Sequence, residues 1–261
     1  VGIYVVTGGT KGIGGEAANA LRKCGHEVIN IDIDRGEICV NLGTIEGREA
    51  AIQEIHKRCP DGIDGLIANA GIAGAATVRA SKVLSVNYFG TVAICEGLYD
   101  LLKLKKGCAA ITVSGTVAYS ERGKYSIDRL LTDCGDEERI NRLVDSFDPM
   151  AGNTMYVNTK IALVRWMKRT APSWAANSVN LNAVAPGAVA TTIMDGLKRG
   201  PDAFLGALPM PMVYKENKIM DAYEPGNALA LMVLPEAKGI CGALVYCDAG
   251  TAGLLFTERY R

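Results

Sequence analysis

Tyr156 and Lys160 stand four residues apart in a stretch, 154–175, whose apolar residues recur at helical spacing. Residues so spaced leave one face of a helix. A phenol titrates at about 10, so it is a poor base at neutral pH. A cation one turn away favours the phenolate. Bringing the pKa of such a phenol down to about 7 takes roughly 4 kcal/mol of differential stabilisation. The pair could then pass a proton to or from an oxygen. Tyr-x-x-x-Lys is also an ordinary helix-surface pair, so its meaning depends on what stands around it.

A second group of residues points to a ligand. Thr7-Gly8-Gly9-Thr10-Lys11-Gly12-Ile13-Gly14 follows the apolar run 3–6 and opens into a helical stretch, 16–23. Strand, glycine turn and helix present backbone N–H groups to a pyrophosphate. Gly8 allows the tight turn, Gly12 lets phosphates approach the backbone, and Gly14 lets the helix pack on the strand. The next apolar run, 27–31, ends at Asp32, eighteen residues past Gly14. A carboxylate there accepts from both ribose hydroxyls of an adenosine and repels a 2′-phosphate, which points to NAD over NADP. Asp34 is the second choice, because it lies beyond the strand end. A glycine turn with no ligand is the competing reading, and the placed carboxylate weighs against it.

These residues need a scaffold that brings them together. Further strands are expected at 37–42, 63–68, 109–113, 178–184 and 242–247, with helices at 46–58, 83–103, 154–175 and 225–234. Strands alternating with helices of this length imply a parallel, doubly wound α/β sheet of about seven strands, with ligands at the strands' carboxyl ends. The glycine turn, Asp32, Asn69-Ala70-Gly71 and Ser114 all fall at such ends. The polar stretch 119–152 interrupts the rhythm and reads as an insertion with an amphipathic helix at 136–147. The whole chain, 1–261, reads as one dinucleotide-binding domain, with no internal repeat and no linker.

Composition narrows the function classes. The 261 residues are 49% hydrophobic, with 28 Lys+Arg against 28 Asp+Glu. No basic stripe suggests nucleic acid, and no apolar run reaches membrane-spanning length. Eight cysteines make no C-x-x-C pair and only two histidines accompany them, so no metal site is expected. Buried, reduced thiols in a cytoplasmic protein are the reading for the cysteines.

Taken in order, the glycine motif 7–14, Asn69-Ala-Gly71, Asn87, Ser114, Tyr156-Val-Asn-Thr-Lys160 and Pro186-Gly-Ala-Val-Ala-Thr191 resemble the motifs of the short-chain dehydrogenase/reductase family. The resemblance covers essentially the whole chain. The short N-terminus, the run Ser-Val-Asn-Tyr-Phe-Gly at 85–90 and the insertion make it most similar to the bacterial 3α-hydroxysteroid dehydrogenase/carbonyl reductase group. It implies an NAD-dependent oxidoreductase interconverting a secondary alcohol and a ketone, with a steroid or bile acid as substrate. It implies Tyr156 as acid or base, Lys160 on the nicotinamide ribose, Ser114 on the substrate oxygen, and Asn87 kinking its helix and positioning a water that relays protons to Lys160. Gly8, Thr10, Lys11, Gly12, Ile13, Gly14, Asp32, Asn41, Leu42, Asn69, Ala70, Gly71, Pro186, Gly187, Val189 and Thr191 would line the dinucleotide. Residues 192–223, rich in Met, would be the substrate loop, with Met210, Met212 and Met220 either covering an apolar ligand or packing in the core. The insertion would redirect assembly, giving a homodimer or homotetramer.

Three positions depart from the family pattern. Asn41 stands where an Asp is usual, and Asp248-Ala249-Gly250 replaces Asp-Gly-Gly. An ungapped alignment puts Gly115 in the serine slot, so either Ser114 or Thr116 must supply the hydroxyl. Strand alternation sends Ser114 to the side opposite Val113 and Gly115. A reductase of a smaller carbonyl or acyl thioester, and a cofactor-sensing protein without turnover, stay open as alternatives.

Overall fold

The computed structural model describes residues 1–74, 77–115, 131, 135–189 and 219–256. Its centre is a parallel sheet of seven strands in the order β3-β2-β1-β4-β5-β6-β7. The strands are β1 (Ile3–Thr7), β2 (Glu27–Asp32), β3 (Ile38–Cys39), β4 (Gly65–Ala68), β5 (Cys108–Thr112), β6 (Asn180–Pro186) and β7 (Leu244–Cys247). The order reverses between β1 and β4, which opens a crevice at their carboxyl ends.

Alternation sorts the strand residues between two cores. Tyr4, Val6, Val28, Ile67, Ala110 and Val184 face α1 (Gly12–Lys23) and the Tyr223–Val233 helix. Val5, Ile29, Ile31, Leu66, Ile111 and Leu181 face the other layer. That layer holds α2 (Ile45–Arg58), the segments between β4 and β5, and the Gly152–Ala175 helix. Helix starts follow local chemistry. The Thr44 hydroxyl accepts the Gly47 N–H at 3.1 Å to cap α2, a contact worth about 1 kcal/mol.

The expected helix at 83–103 is divided. It comprises α3 (Ala80–Leu84), a π-helical segment (Ser85–Gly90), α4 (Thr91–Gly97) and α5 (Tyr99–Lys105). Within the π segment the Asn87 side chain is drawn outward. It accepts the Ile72 N–H at 2.8 Å and donates to the Ile72 carbonyl at 3.0 Å. A side chain pulling on the ladder in this way favours a π turn. The strand expected at 37–42 shrinks to two residues, because Asn41 and Thr44 turn the chain into α2.

The amphipathic stretch of the insertion forms α6 (Glu137–Phe147), capped by Asp136 on the Arg139 N–H. The Gly152–Ala175 helix is α7 and the Tyr223–Val233 helix is α8. A last helix that the periodicity did not suggest, α9 (Thr251–Phe256), starts where Asp248 accepts the Ala252 N–H at 2.6 Å. The cysteine expectation needs correction. Cys59, Cys95 and Cys108 are buried, but Cys24, Cys39 and Cys241 are exposed, since they fall at the end of α1, on a short edge strand and in the turn before β7.

Gly65 shows how tightly the first face packs. A methyl group there would lie 2.6 Å from Tyr4 Cδ1 and 3.1 Å from Val233 Cβ. Gly65→Ala is therefore expected to lower stability in urea unfolding by about 2 kcal/mol. Gly239→Ala, where nothing stands within 4 Å, should change it by less than about 0.5 kcal/mol.

Candidate active site

The glycine loop has the backbone its sequence calls for. Gly8 and Gly12 adopt φ of 61° and 58°, values that side-chain-bearing residues seldom reach. A Cβ on Gly14 would overlap the Gly8 carbonyl and the Asn69 amide. At the start of α1, Lys11 makes no side-chain cap and the first turn carries no acid. The free N–H groups and the helix dipole there suit an anion. Asp32 closes the loop from the end of β2. One oxygen accepts from the Thr10 hydroxyl at 2.5 Å and the Thr10 N–H at 3.3 Å, and the other from the Ile33 N–H at 2.8 Å. Asp34 is exposed beyond the strand. A pyrophosphate and ribose would fit this loop, with backbone N–H groups for the phosphates and Asp32 for the hydroxyls.

Asn41 is exposed and its side-chain oxygen accepts the Gly43 N–H at 2.9 Å, leaving a second lone pair for a ligand. Leu42 beside it is buried. Asn69 and Ala70 both donate their N–H to the Thr7 hydroxyl at 3.0 Å. The Asn69 amide reaches the Gly8 carbonyl at 3.2 Å, and its oxygen accepts the Thr112 hydroxyl at 2.9 Å. Thr7 and Thr112 thus tie the ends of β1, β4 and β5 together, a role no spacing rule singled out for Thr112.

Tyr156 and Lys160 project from α7 toward these strand ends. The Lys160 ammonium donates to the Thr112 carbonyl at 3.1 Å and lies 5.7 Å from the Tyr156 ring centre. The Ser114 hydroxyl hydrogen-bonds the Tyr156 phenol. Ser114 lies two residues past the end of β5, after Val113, whose N–H still donates to the Val184 carbonyl of β6 at 2.9 Å. Gly115 packs so close to β6 that a Cβ would lie 2.9 Å from the Pro186 carbonyl. Thr116 lies outside the described residues.

Gly74, which the sequence reading passed over, abuts α7 so closely that a Cβ would overlap Tyr156 Cβ and the Gly152 carbonyl. Pro186 and Gly187 close β6, and a Cβ on Gly187 would lie 2.9 Å from Asp248 Cα. Val189 bridges to Met220, and with Ala249 the two form a small core. Met220 is therefore a packing residue. Thr191, Met210, Met212 and most of the 192–223 stretch lie outside the described residues. Among the described residues, no three His, Cys, Asp or Glu side chains gather as a metal would require, and no helix is long and apolar enough to cross a membrane.

Burial sets the protonation of the pair. It pushes the Tyr156 phenol up, against the pull of the Ser114 hydrogen bond. It pushes Lys160 down to about 8. In the protein alone, then, burial outweighs the Ser114 hydrogen bond and the phenol stays protonated at neutral pH. Lys160 has a lower pKa folded than unfolded, so its charge opposes folding at neutral pH, and that opposition fades as pH rises from about 8 through 10.5. Lys160→Met should therefore compare best with the wild type at pH 7. Its relative stability should fall by about 2 kcal/mol by pH 10, read from paired urea titrations.

Comparison with known proteins agrees with this geometry. Residues 3–126 match the family model for short chain dehydrogenases, and residues 143–252 match one described as enoyl-(acyl carrier protein) reductase. The chain is 30% identical, over 99% of both sequences, to a 3α-hydroxysteroid dehydrogenase/carbonyl reductase of Comamonas testosteroni. It is 28% identical, over 95% of both, to a coniferyl-alcohol dehydrogenase of a Pseudomonas strain. The crystal structure of a 3α-hydroxysteroid dehydrogenase from Pseudomonas sp. B-0831, complexed with NADH, superposes with a TM-score of 0.88. It shares 29% identity, over 97% of this chain and 98% of that one. On these likenesses the chain belongs to the short-chain dehydrogenase/reductase family of oxidoreductases.

Proposed function

We propose that this chain is an NAD(H)-dependent dehydrogenase/reductase that interconverts a secondary alcohol and a ketone, with a hydroxysteroid or bile acid as its substrate class. The observation that carries the reading is the Ser114–Tyr156 hydrogen bond beside a buried Lys160, at the strand ends that also hold the glycine loop. The steroid class rests on likeness to relatives named for that chemistry. We place the enzyme in the cytoplasm, as a homo-oligomer.

A dinucleotide bound on the glycine loop supplies or accepts the hydride. The chain's own residues then handle the proton and the position. Burial keeps the Tyr156 phenol protonated at neutral pH, so it is ready to donate to a carbonyl oxygen as negative charge develops there. Ser114 holds the same oxygen and stabilises that charge. In the oxidative direction the phenolate takes the alcohol proton, which a neighbouring ammonium favours. Lys160 and Asn87 stand next to each other across Gly71. A Cβ there would lie 3.7 Å from the Lys160 nitrogen and 3.2 Å from the Asn87 oxygen. This suits Lys160 to a ribose hydroxyl and Asn87 to the support of a relay water. Asp32 selects the unphosphorylated ribose.

A reductase of smaller or aromatic carbonyls is the second reading, favoured by the likeness to a coniferyl-alcohol dehydrogenase. Following NADH absorbance with a panel of steroids, aromatic ketones and acyl thioesters separates the readings, and binding without turnover of any substrate would indicate a sensor.

Tyr156→Phe should lower kcat by about a hundredfold or more while NADH still quenches protein fluorescence with unchanged affinity. Normal turnover in that variant would remove Tyr156 from the mechanism. Asp32→Ala should narrow the ratio of kcat/KM for NAD over NADP by about tenfold, because the repelling carboxylate is gone. A wild-type preference for NADP would overturn the assignment of Asp32.

A further inference from the structure

Arg48 on α2 is 5% exposed, yet its side chain serves four oxygens of three separate segments. Its Nε donates to the Leu42 carbonyl at 2.7 Å. One Nη donates to the Ser85 carbonyl at 2.8 Å and to Glu137 Oε1 at 2.9 Å. The other Nη completes a two-pronged pair with Glu137. Leu42 precedes α2, Ser85 opens the π segment, and Glu137 opens α6 of the insertion. Only a planar guanidinium offers that many donors in one fork. Packing does not require it, because apolar groups of similar volume replace buried ion pairs at little cost or with a gain in stability.

The π segment is where this grip has an effect. A π turn holds one residue more than an α turn, and each residue turns a helix by roughly 100°. A return of 85–90 to α geometry would therefore swing Asn87 away from Ile72. Ser85 O is the first carbonyl of the segment, and Arg48 draws it sideways at the point where the register is chosen. Asn141 of α6 holds the Ser85 hydroxyl from the same side at 2.9 Å. Farther along α6, Asp145 accepts from Arg79 and from Ser81 at 2.8 Å, bracing α3 just ahead of the segment. At the far end, a Cβ on Gly90 would lie 2.9 Å from the Leu42 carbonyl that Arg48 also holds.

We infer that Arg48 is a positioning residue: anchored by Glu137 of the insertion helix, it fixes the π register of 85–90 and so seats Asn87 against Ile72 and beside Lys160. The insertion is then a brace for the site as well as a surface feature. The consequence for turnover rests on the dehydrogenase reading above, whereas the consequence for Ile72 does not.

Amide hydrogen exchange on the ligand-free chain tests the inference directly, because Asn87 protects the Ile72 N–H. In Arg48→Met, exchange at Ile72 should rise at least about tenfold beyond any change at Ala110 and Ile111 of β5, which report global opening. Glu137→Gln, which keeps the fold's shape but not the charge, should show the same selective rise to a smaller extent, and it carries the test if Arg48→Met does not fold. In the same variants kcat should fall more than the affinity for NADH. Ile72 exchange that changes only in step with β5 would overturn the inference. Wild-type protein that neither binds NADH nor turns over any ketone would instead overturn the functional reading, leaving the exchange result to stand by itself.

Discussion

Where β1 and β4 part, backbone groups at their carboxyl ends lose their ladder partners, and Thr7 takes them over. Its hydroxyl, 2% exposed, receives two N–H groups from Asn69 and Ala70. Buried polar groups without partners are costly, so the crevice stays open only because this substitution is made. The rest of the site hangs on the same chain of contacts. Asn69 holds the Gly8 carbonyl and takes the Thr112 hydroxyl, and the Thr112 carbonyl receives Lys160. A continuous run of hydrogen bonds therefore links the glycine loop to the ammonium. The dinucleotide loop and the proton-handling helix are placed relative to each other by side chains, not by strand geometry alone.

Burial acts on the two members of the helix pair in opposite senses. It keeps the phenol neutral and lowers the amine, because each charged form loses solvation. At neutral pH the phenol is thus protonated and uncharged, while the amine, at about 8, still carries its charge. Charge brought by a ligand at the strand ends can change that balance over a short distance in a low-dielectric setting. The hydrogen bond from Ser114 already favours ionisation of the phenol.

The legibility of the site followed the length scale of each signal. Glycine turns, the Asp32 carboxylate and the Tyr–Lys spacing are local, and their geometry follows from residues within one turn or one strand. The division of the helix at 80–105 was not legible in its apolar spacing, which continues through 85–90, and only the family resemblance pointed to a kink at Asn87. The interruption comes from Ile72, Arg48 and Glu137, none of them near in sequence. Gly74 was missed for the same reason. Its need to be glycine arises from Tyr156 and Gly152, about eighty residues away. The doubt over Ser114 came from the family's serine slot falling on Gly115, and only the contact with the phenol places the Ser114 hydroxyl.

The order of strands and helices, the glycine loop and the placing of Tyr156 and Lys160 on one helix face were set by the sequence itself, since each depends on periodicity or on a residue type that few others can replace. Tertiary structure alone decided that the Ser114 hydroxyl meets the phenol, how the π segment is held, and that burial raises the phenol and lowers the amine. Those outcomes depend on desolvation and on contacts between segments far apart in the chain, and neither quantity is written in local spacing.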